Sequence, residues 1–508
     1  MITSQMNTTP AGRITVSGVF GSDMVLQRGE PIRVWGFADA AENGRKVFGE
    51  FMGMHAETCI DNGEWTLVFG AQPNACAEAG HSMRIYTDET TYVFENVLIC
   101  DVFMVIGQSN AAYSMADHRA AVQEAARGGI GYDDPSLPIR LHYNSLTQVT
   151  GIQRGTKEVC PQPCPGSVWR APSPDAVSAF SALGYLFAAS YARTVGVPVG
   201  MIEIDGNGQP IGAFMPNEAA DMTGSDQWSE EKGYYVTSGC NGDAARYMYN
   251  HYMYPFEKYA IAGMVWYQGE SDCAPGLAET FPLKFAELVR HMRTTHNLVK
   301  PDFPVYLIEF PSIYRKSEVS VIPEGQGWAF MDLGLVRGML GSVVHRVPAS
   351  YAVSSGDAWG DRTYWNSLHP NCKYEQASRA AAIAAAVAGM GRLEQACGPI
   401  LQQASLSEDG TQVVLTYTNV GNGLQTADCT ADVRGFRALH RQEDGKTLRV
   451  GSVPLPAHMT APDQILLDLE SRADGIAYHV IADEFYGDAI NLTSSSGVPA
   501  CADAWLFS

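Results

Sequence analysis

Three short stretches of this chain hold side chains that together could carry acyl transfer. Ser109 stands in Ile106-Gly107-Gln108-Ser109-Asn110, directly behind the apolar run Val102 to Ile106, where a strand gives way to a turn. Gln268 follows a second apolar run in Trp266-Tyr267-Gln268-Gly269-Glu270-Ser271-Asp272, and His369 sits in Leu368-His369-Pro370. Acyl transfer needs a nucleophile, a base that works near neutrality and fixed donors for the developing oxyanion. Ser109 would be the nucleophile and His369 the base. The Ser109 N–H, the Gly208 N–H and the Gln268 amide would be the donors. Each residue alone is weak. A serine behind a strand is most often a helix cap, a buried glutamine at a strand end must bond to something, and His369 is one of twelve histidines. Glu270 reads as an anchor for the loop carrying Ser109 rather than as a catalyst.

The elements that must position these groups follow from periodicity. From about residue 98 to 391, apolar strands near Val102–Ile106, Val199–Ile204, Gly263–Tyr267, Val305–Phe310 and Tyr351–Ser354 alternate with helical patterns over Ala176–Thr194, Glu279–His296 and Tyr374–Met390. Near-continuous apolar strands between helices predict an α/β fold with a parallel sheet covered on both faces. Ser109, Gly208 and Gln268 then all fall at carboxyl ends of strands, where such sheets bind ligands. Asp117 to Trp169 is rich in Gly and Pro and is expected to be an irregular surface excursion. Short alternating strands from about Ile14 to Ile99, and again after Gly398-Pro399, predict flanking β-domains. The expected division is 1–98, 99–396 and 397–508.

Composition narrows the function classes. Of 508 residues, 46% are hydrophobic and 18% charged, which suits a well-buried enzyme and not a disordered chain. A net charge of −21 argues against nucleic acid and anionic membranes as partners. Eleven cysteines lack a regular spacing; Cys160 and Cys164 in CPQPC read as incidental thiols rather than a zinc knuckle. Many free thiols, with no secretory leader at the start, lead to the expectation of a cytoplasmic protein. No metal or other cofactor is expected.

Four segments carry a family resemblance: IGQSN (106–110), GVPVGMIEIDGNGQPIGAFMP (196–216), YAIAGMVWYQGESD (259–272) and SLHPNCKYEQASRAA (367–381). Together they resemble the sialate O-acetylesterases of the SGNH-hydrolase group, and SGVFGSDMVLQRGEPIRVWGFA (17–38) is similar to that family's N-terminal β-domain. The resemblance implies a three-layer, flavodoxin-like catalytic domain. It implies Ser109 as nucleophile, His369 as base, Gln268 in place of the usual block III asparagine, and Gly208 as the block II glycine. Many SGNH enzymes place an aspartate two residues before the histidine. Ser367 stands there, so the group orienting His369 stays open among a backbone carbonyl, Ser367 and a carboxylate from elsewhere in the chain, with Asp357 and Asp361 near in sequence.

The activity the resemblance implies is serine-dependent removal of O-acetyl groups from sugars, with O-acetylated sialic acid foremost and acetylated xylan as the alternative. A sialate carboxylate calls for an arginine; Arg362 and Arg119 are candidates, with Trp365 as a stacking surface beside Arg362. The expected partner is an acetylated mono- or oligosaccharide, and a homodimer stays open. A catalytically impaired carbohydrate-binding protein on a hydrolase scaffold is the competing class.

Overall fold

The computed structural model describes residues 14–72, 80–121, 137–143, 155–232, 234–238, 244–273, 276–312, 333–358, 369–370, 372–481 and 486–507. A strand that is apolar on both faces must be covered on both faces, and the central strands are. They are β1 (Thr91–Gly107), β2 (Ile139–Tyr143), β3 (Val199–Asp205), β4 (Gly263–Tyr267), β5 (Val305–Ile308) and β6 (Ser350–Val353). Their order across the sheet is β2-β3-β1-β4-β5-β6, and all neighbours run parallel. Leaving β2 aside, the order in chain terms is 2-1-3-4-5, a doubly wound arrangement whose switch point lies between β1 and β4.

Helices that follow these strands along the chain include α1 (Ser109–Ala112), α2 (Ala182–Val195), α3 (Phe281–Thr295), α4 (Leu333–Gly341) and α5 (Tyr374–Val387). Side chains alternate across the sheet with the strand period. Met104, Ile106, Met264 and Trp266 join the apolar cluster that includes α3 and the N-terminal strands. Phe103, Val105, Val265 and Tyr267 join the cluster formed with α2 and α5. In α3, Phe281, Phe285, Leu288 and Met292 recur at helical spacing on the buried face.

β1 is one unbroken strand whose surroundings change along its length. Residues 91–96 alternate between exposed and half-buried and pair antiparallel with His81–Tyr86, whereas everything from Val97 to Gly107 is buried. The change falls at Asn96, which has a φ of 58°. The N-terminal strands Lys46–Phe51, Met54–Cys59 and His81–Tyr86 thus run on, through β1, into the parallel sheet.

Two expectations about local structure need correction. The excursion from Asp117 to Trp169 contains β2, with Ile139 and Leu141 buried, because parallel pairing with β3 gives those side chains a face to cover. Its stretches 122–136 and 144–154 lie outside the described residues. The single helical pattern over Ala176–Thr194 is two helices, Pro174–Ala179 and α2. Phe180 is extended between them, and the Ser181 hydroxyl accepts the Gly184 N–H at 3.1 Å, which starts a new helix there.

After α5 the chain forms two four-stranded antiparallel sheets that share an apolar cluster, including Val413, Leu415, Phe436, Ile465 and Tyr478. α4 meets this region through a glycine face. A Cβ on Gly334 would lie 1.9 Å from the Val480 carbonyl oxygen, and one on Gly341 would lie 1.8 Å from that of Ala502. Backbone cannot yield as a flexible side chain can. Gly341→Ala is therefore expected to destabilise by about 2–3 kcal/mol in urea unfolding. Gly21→Ala, with nothing within 4 Å of the added carbon, is expected to leave the midpoint unchanged. Equal midpoints for the two variants would contradict this account of the α4 contact.

Candidate active site

The register of the sheet assembles the site. Gly107 at the end of β1 pairs with Asp205 on β3 and with Tyr267 on β4, so the chain leaves all three strands side by side. Ser109, the turn Gly206–Gln209 and Gln268 follow at once. Gly107 is required by closeness: a Cβ there would lie 2.1 Å from the Tyr267 carbonyl oxygen. The Gly107 carbonyl accepts the Gly206 N–H at 3.0 Å, and Gln108 N–H donates to the Tyr267 carbonyl at 3.2 Å.

Ser109 opens α1 and is half-buried. Its Oγ lies 2.7 Å from His369 Nε2, although the two residues are 260 positions apart. Burial, with the neighbouring Lys373 charge second, pushes the His369 imidazole down to about 4. It is therefore neutral at physiological pH and able to accept a proton from the serine hydroxyl. Of the carboxylates considered as its orienting partner, Asp357 is committed to Arg379 in a two-pronged pair at 2.6 and 2.8 Å. Asp361 and Ser367 lie outside the described residues, as do Arg362 and Trp365. Arg119 is described and donates to Ser178 Oγ at 3.0 Å.

Gln268 is fully buried beside the dyad. Its amide nitrogen donates to Asp272 Oδ2 at 2.7 Å and to the Gln209 carbonyl at 3.1 Å, with Gln108 Oε1 at 3.4 Å. As the side chain stands, both amide hydrogens are committed, and donation to an oxyanion would require one to be released. The amide instead braces the turn that bears Gly208. Ser271 Oγ donates to the Gly208 carbonyl at 2.9 Å and reinforces the same turn. The Ser109 and Gly208 N–H groups are bonded to no carbonyl among the described residues.

A buried polar network lies behind the dyad. Asn110 Nδ2 donates to Glu270 Oε1 at 2.6 Å, and Lys373 Nζ donates to Asn110 Oδ1 at 2.6 Å. Lys373 Nζ also sits over the Tyr113 and Tyr267 rings, 4.9 and 5.3 Å from their centroids. Burial raises Glu270 to about 7 and lowers Lys373 to about 7. Asp272 is likewise raised by burial to about 6. Glu270 is thus an anchor of the Ser109 turn, through the serine's own neighbour. Gln108, Asn110, Asp272 and Lys373 went unassigned in the sequence, although three of them lie within three residues of an assigned one. Gln108 and Asn110, flanking the serine on either side, carried a local hint.

Two measurements follow. With His369 held near 4, kcat/KM for ester turnover is expected to stay level down to about pH 5 and fall only below it. Removing the Lys373 charge relieves the pressure on His369, so Lys373→Met should move that limb upward in pH. The protein is also expected to lose stability as pH drops below about 6.5, because burial holds His142 down at about 3 and His296 at about 4, so the folded chain refuses protons that the unfolded chain takes up. A brief pH jump with return to neutrality separates unfolding from titration; a reversible limb near 6.5 in the wild type would contradict the assignment. Asn110→Ala leaves Glu270 and Lys373 without their mediator and is expected to destabilise by about 2 kcal/mol or more in urea unfolding.

Comparison with known proteins adds to this geometry. Residues 176–336 match the family described as "Carbohydrate esterase, sialic acid-specific acetylesterase"; the match includes Gly208 and Gln268 but neither Ser109 nor His369. A carbohydrate acetylesterase from Xanthomonas citri has a similar structure, with a TM-score of 0.70 at 21% identity, covering 97% of this chain and 99% of that one. A protein from Arabidopsis thaliana aligns over 57% of this chain and 98% of its own at 15% identity, with a TM-score of only 0.33. No curated protein matches the chain. Residues 176–336 of this chain are thus similar to the sialic acid-specific acetylesterase family of carbohydrate esterases, and this similarity points to a carboxylic ester hydrolase.

Proposed function

We propose that this enzyme removes O-acetyl groups from sugars through an acetyl-Ser109 intermediate, with O-acetylated sialic acid as the preferred substrate. The observation that carries the reading is the 2.7 Å contact between Ser109 Oγ and His369 Nε2 at the switch point of the sheet. Ser109 Oγ attacks the acetyl carbonyl carbon while His369 Nε2 takes the hydroxyl proton. The tetrahedral oxyanion is received by the Ser109 and Gly208 N–H groups, the latter on the turn braced by Gln268. His369 then gives its proton to the departing sugar oxygen, and the sugar leaves. Water, deprotonated by the same imidazole, cleaves the acetyl-serine to acetate and free enzyme.

The sialate preference is supported by the name of the family that residues 176–336 match. An SGNH-type catalytic domain over 99–396, with β-domains before and after it, is the division that accords with this reading. Arg362 and Trp365 are the proposed contacts for the sugar carboxylate and ring.

The test is acetate release from O-acetylated sialic acid and from acetylated xylan by the wild type and by Ser109→Ala. Ser109→Ala is expected to lose at least about a thousandfold in kcat/KM on every acetyl ester. Retained turnover in that variant would remove the mechanism. Faster release from xylan than from the sialate would keep the mechanism and overturn the substrate.

A further inference from the structure

A second serine–histidine–carboxylate array lies apart from Ser109. Ser312 Oγ is 3.0 Å from His479 Nε2, and His479 Nδ1 is 2.9 Å from Glu309 Oε1. These are the distances of a nucleophile, its base and an orienting carboxylate. A hydrolytic serine must meet substrate and water, however, and Ser312, His479 and Glu309 are 0%, 1% and 2% exposed. The array serves some other end.

What sets it apart is the number of chain segments it joins. Glu309 directly follows β5, and its carboxylate also accepts the Ser355 N–H at 2.9 Å and the Ala502 N–H at 2.8 Å. Ser355, just past β6, donates its hydroxyl back to the Glu309 carbonyl. His479 follows the C-terminal strand Gly475–Tyr478; its N–H donates to the Gly435 carbonyl at 3.0 Å. Its own carbonyl accepts from Arg337 Nε on α4 at 2.8 Å. The imidazole packs against the backbone of Gly356, where a Cβ would lie 3.0 Å from its Cε1. One carboxylate and one imidazole thus tie the ends of β5 and β6 to the C-terminal sheets.

The stretch past Ser355 is held in turn by α5. Arg379 donates to the Ser354 carbonyl at 2.8 Å as well as to Asp357, and Gln376 Nε2 donates to the Ala358 carbonyl at 2.9 Å. α5 starts at Tyr374, immediately after Lys373, which bonds Asn110 beside the nucleophile, and shortly after His369. Hydrogen bonds, joined by short covalent steps and the body of α5, therefore connect His479 to the segment that presents the base.

We propose that Glu309 and His479 are positioning residues, through which the C-terminal part of the chain fixes the start of α5 and so the approach of His369 to Ser109. This rests on the serine-esterase reading above. It predicts that the C-terminal sheets influence turnover without touching substrate.

The test compares His479→Leu, which removes both ring hydrogen bonds, with His479→Gln, which keeps a donor toward Glu309, in the full chain. Rates are normalised to the folded fraction measured by circular dichroism at the assay temperature. His479→Leu is expected to lower kcat for p-nitrophenyl acetate about tenfold or more with KM changed less than about twofold. Labelling of Ser109 by an organophosphorus ester should slow by the same factor, and His479→Gln should recover most of both. Wild-type kcat and labelling in folded His479→Leu would overturn the proposal, as would a His479→Gln variant no better than the leucine. A phosphorus adduct on Ser312 would overturn it in favour of a second nucleophile. Ser109→Ala runs alongside: turnover surviving there would instead sink the esterase reading, so the two failures are distinguishable.

Discussion

Asn110 holds two oppositely charged buried groups with one amide, and the geometry of the dyad depends on it. Its nitrogen reaches Glu270 on the loop after β4, and its oxygen is reached by Lys373 at the entrance to α5. Ser109 precedes Asn110 by one residue and His369 precedes Lys373 by four, so fixing the second pair constrains the first. Neither ion would be tolerated alone at such depth. Together they sit in a compromise, Glu270 raised and Lys373 lowered to about the same value near 7. Such a network favours one arrangement because any shift breaks a charge-assisted hydrogen bond at depth.

That network is useful only because the sheet brings its parts within reach. β1 is buried from Val97 to Gly107, and its last residue lies against both Asp205 and Tyr267. The absence of a side chain at Gly107 lets the Tyr267 carbonyl come close and sets Ser109 beside the Gly206–Gln209 turn. Gln268 completes the corner as a brace between that turn and Asp272. Depressed basicity at His369 and a committed amide at Gln268 have one origin, the burial of the corner. Polar groups there bond to one another or change their proton affinity.

Legibility in the sequence followed the range of the interaction. The five central strands and α3 were readable because both-face burial writes a continuous apolar run, and one-face burial writes a helical period. β2 was not, since five residues in a Gly- and Pro-rich stretch acquire their face only from β3. The break at Phe180-Ser181 was hidden under an unbroken apolar period, and only the cap at Ser181 marks it. Glu270 was readable as an anchor because a carboxylate behind a strand must be satisfied. Its partners were not, because Asn110 lies 160 residues before it and Lys373 lies far after it along the chain.

By itself the sequence determined the chemistry on offer: a serine behind a strand, a histidine before a helix, an amide and a glycine at two other strand ends, on an α/β frame. These are local facts, set by residue type and period. Tertiary structure decided which groups meet and in what state. It brought Ser109 and His369 to 2.7 Å, turned the Gln268 amide toward Asp272 and Gln209, and sank Glu270 and Lys373 around Asn110. It also set Glu309 against His479 across 170 residues. The reason is physical: hydrogen-bond direction and desolvation depend on where distant strands end in space, and no local pattern encodes that.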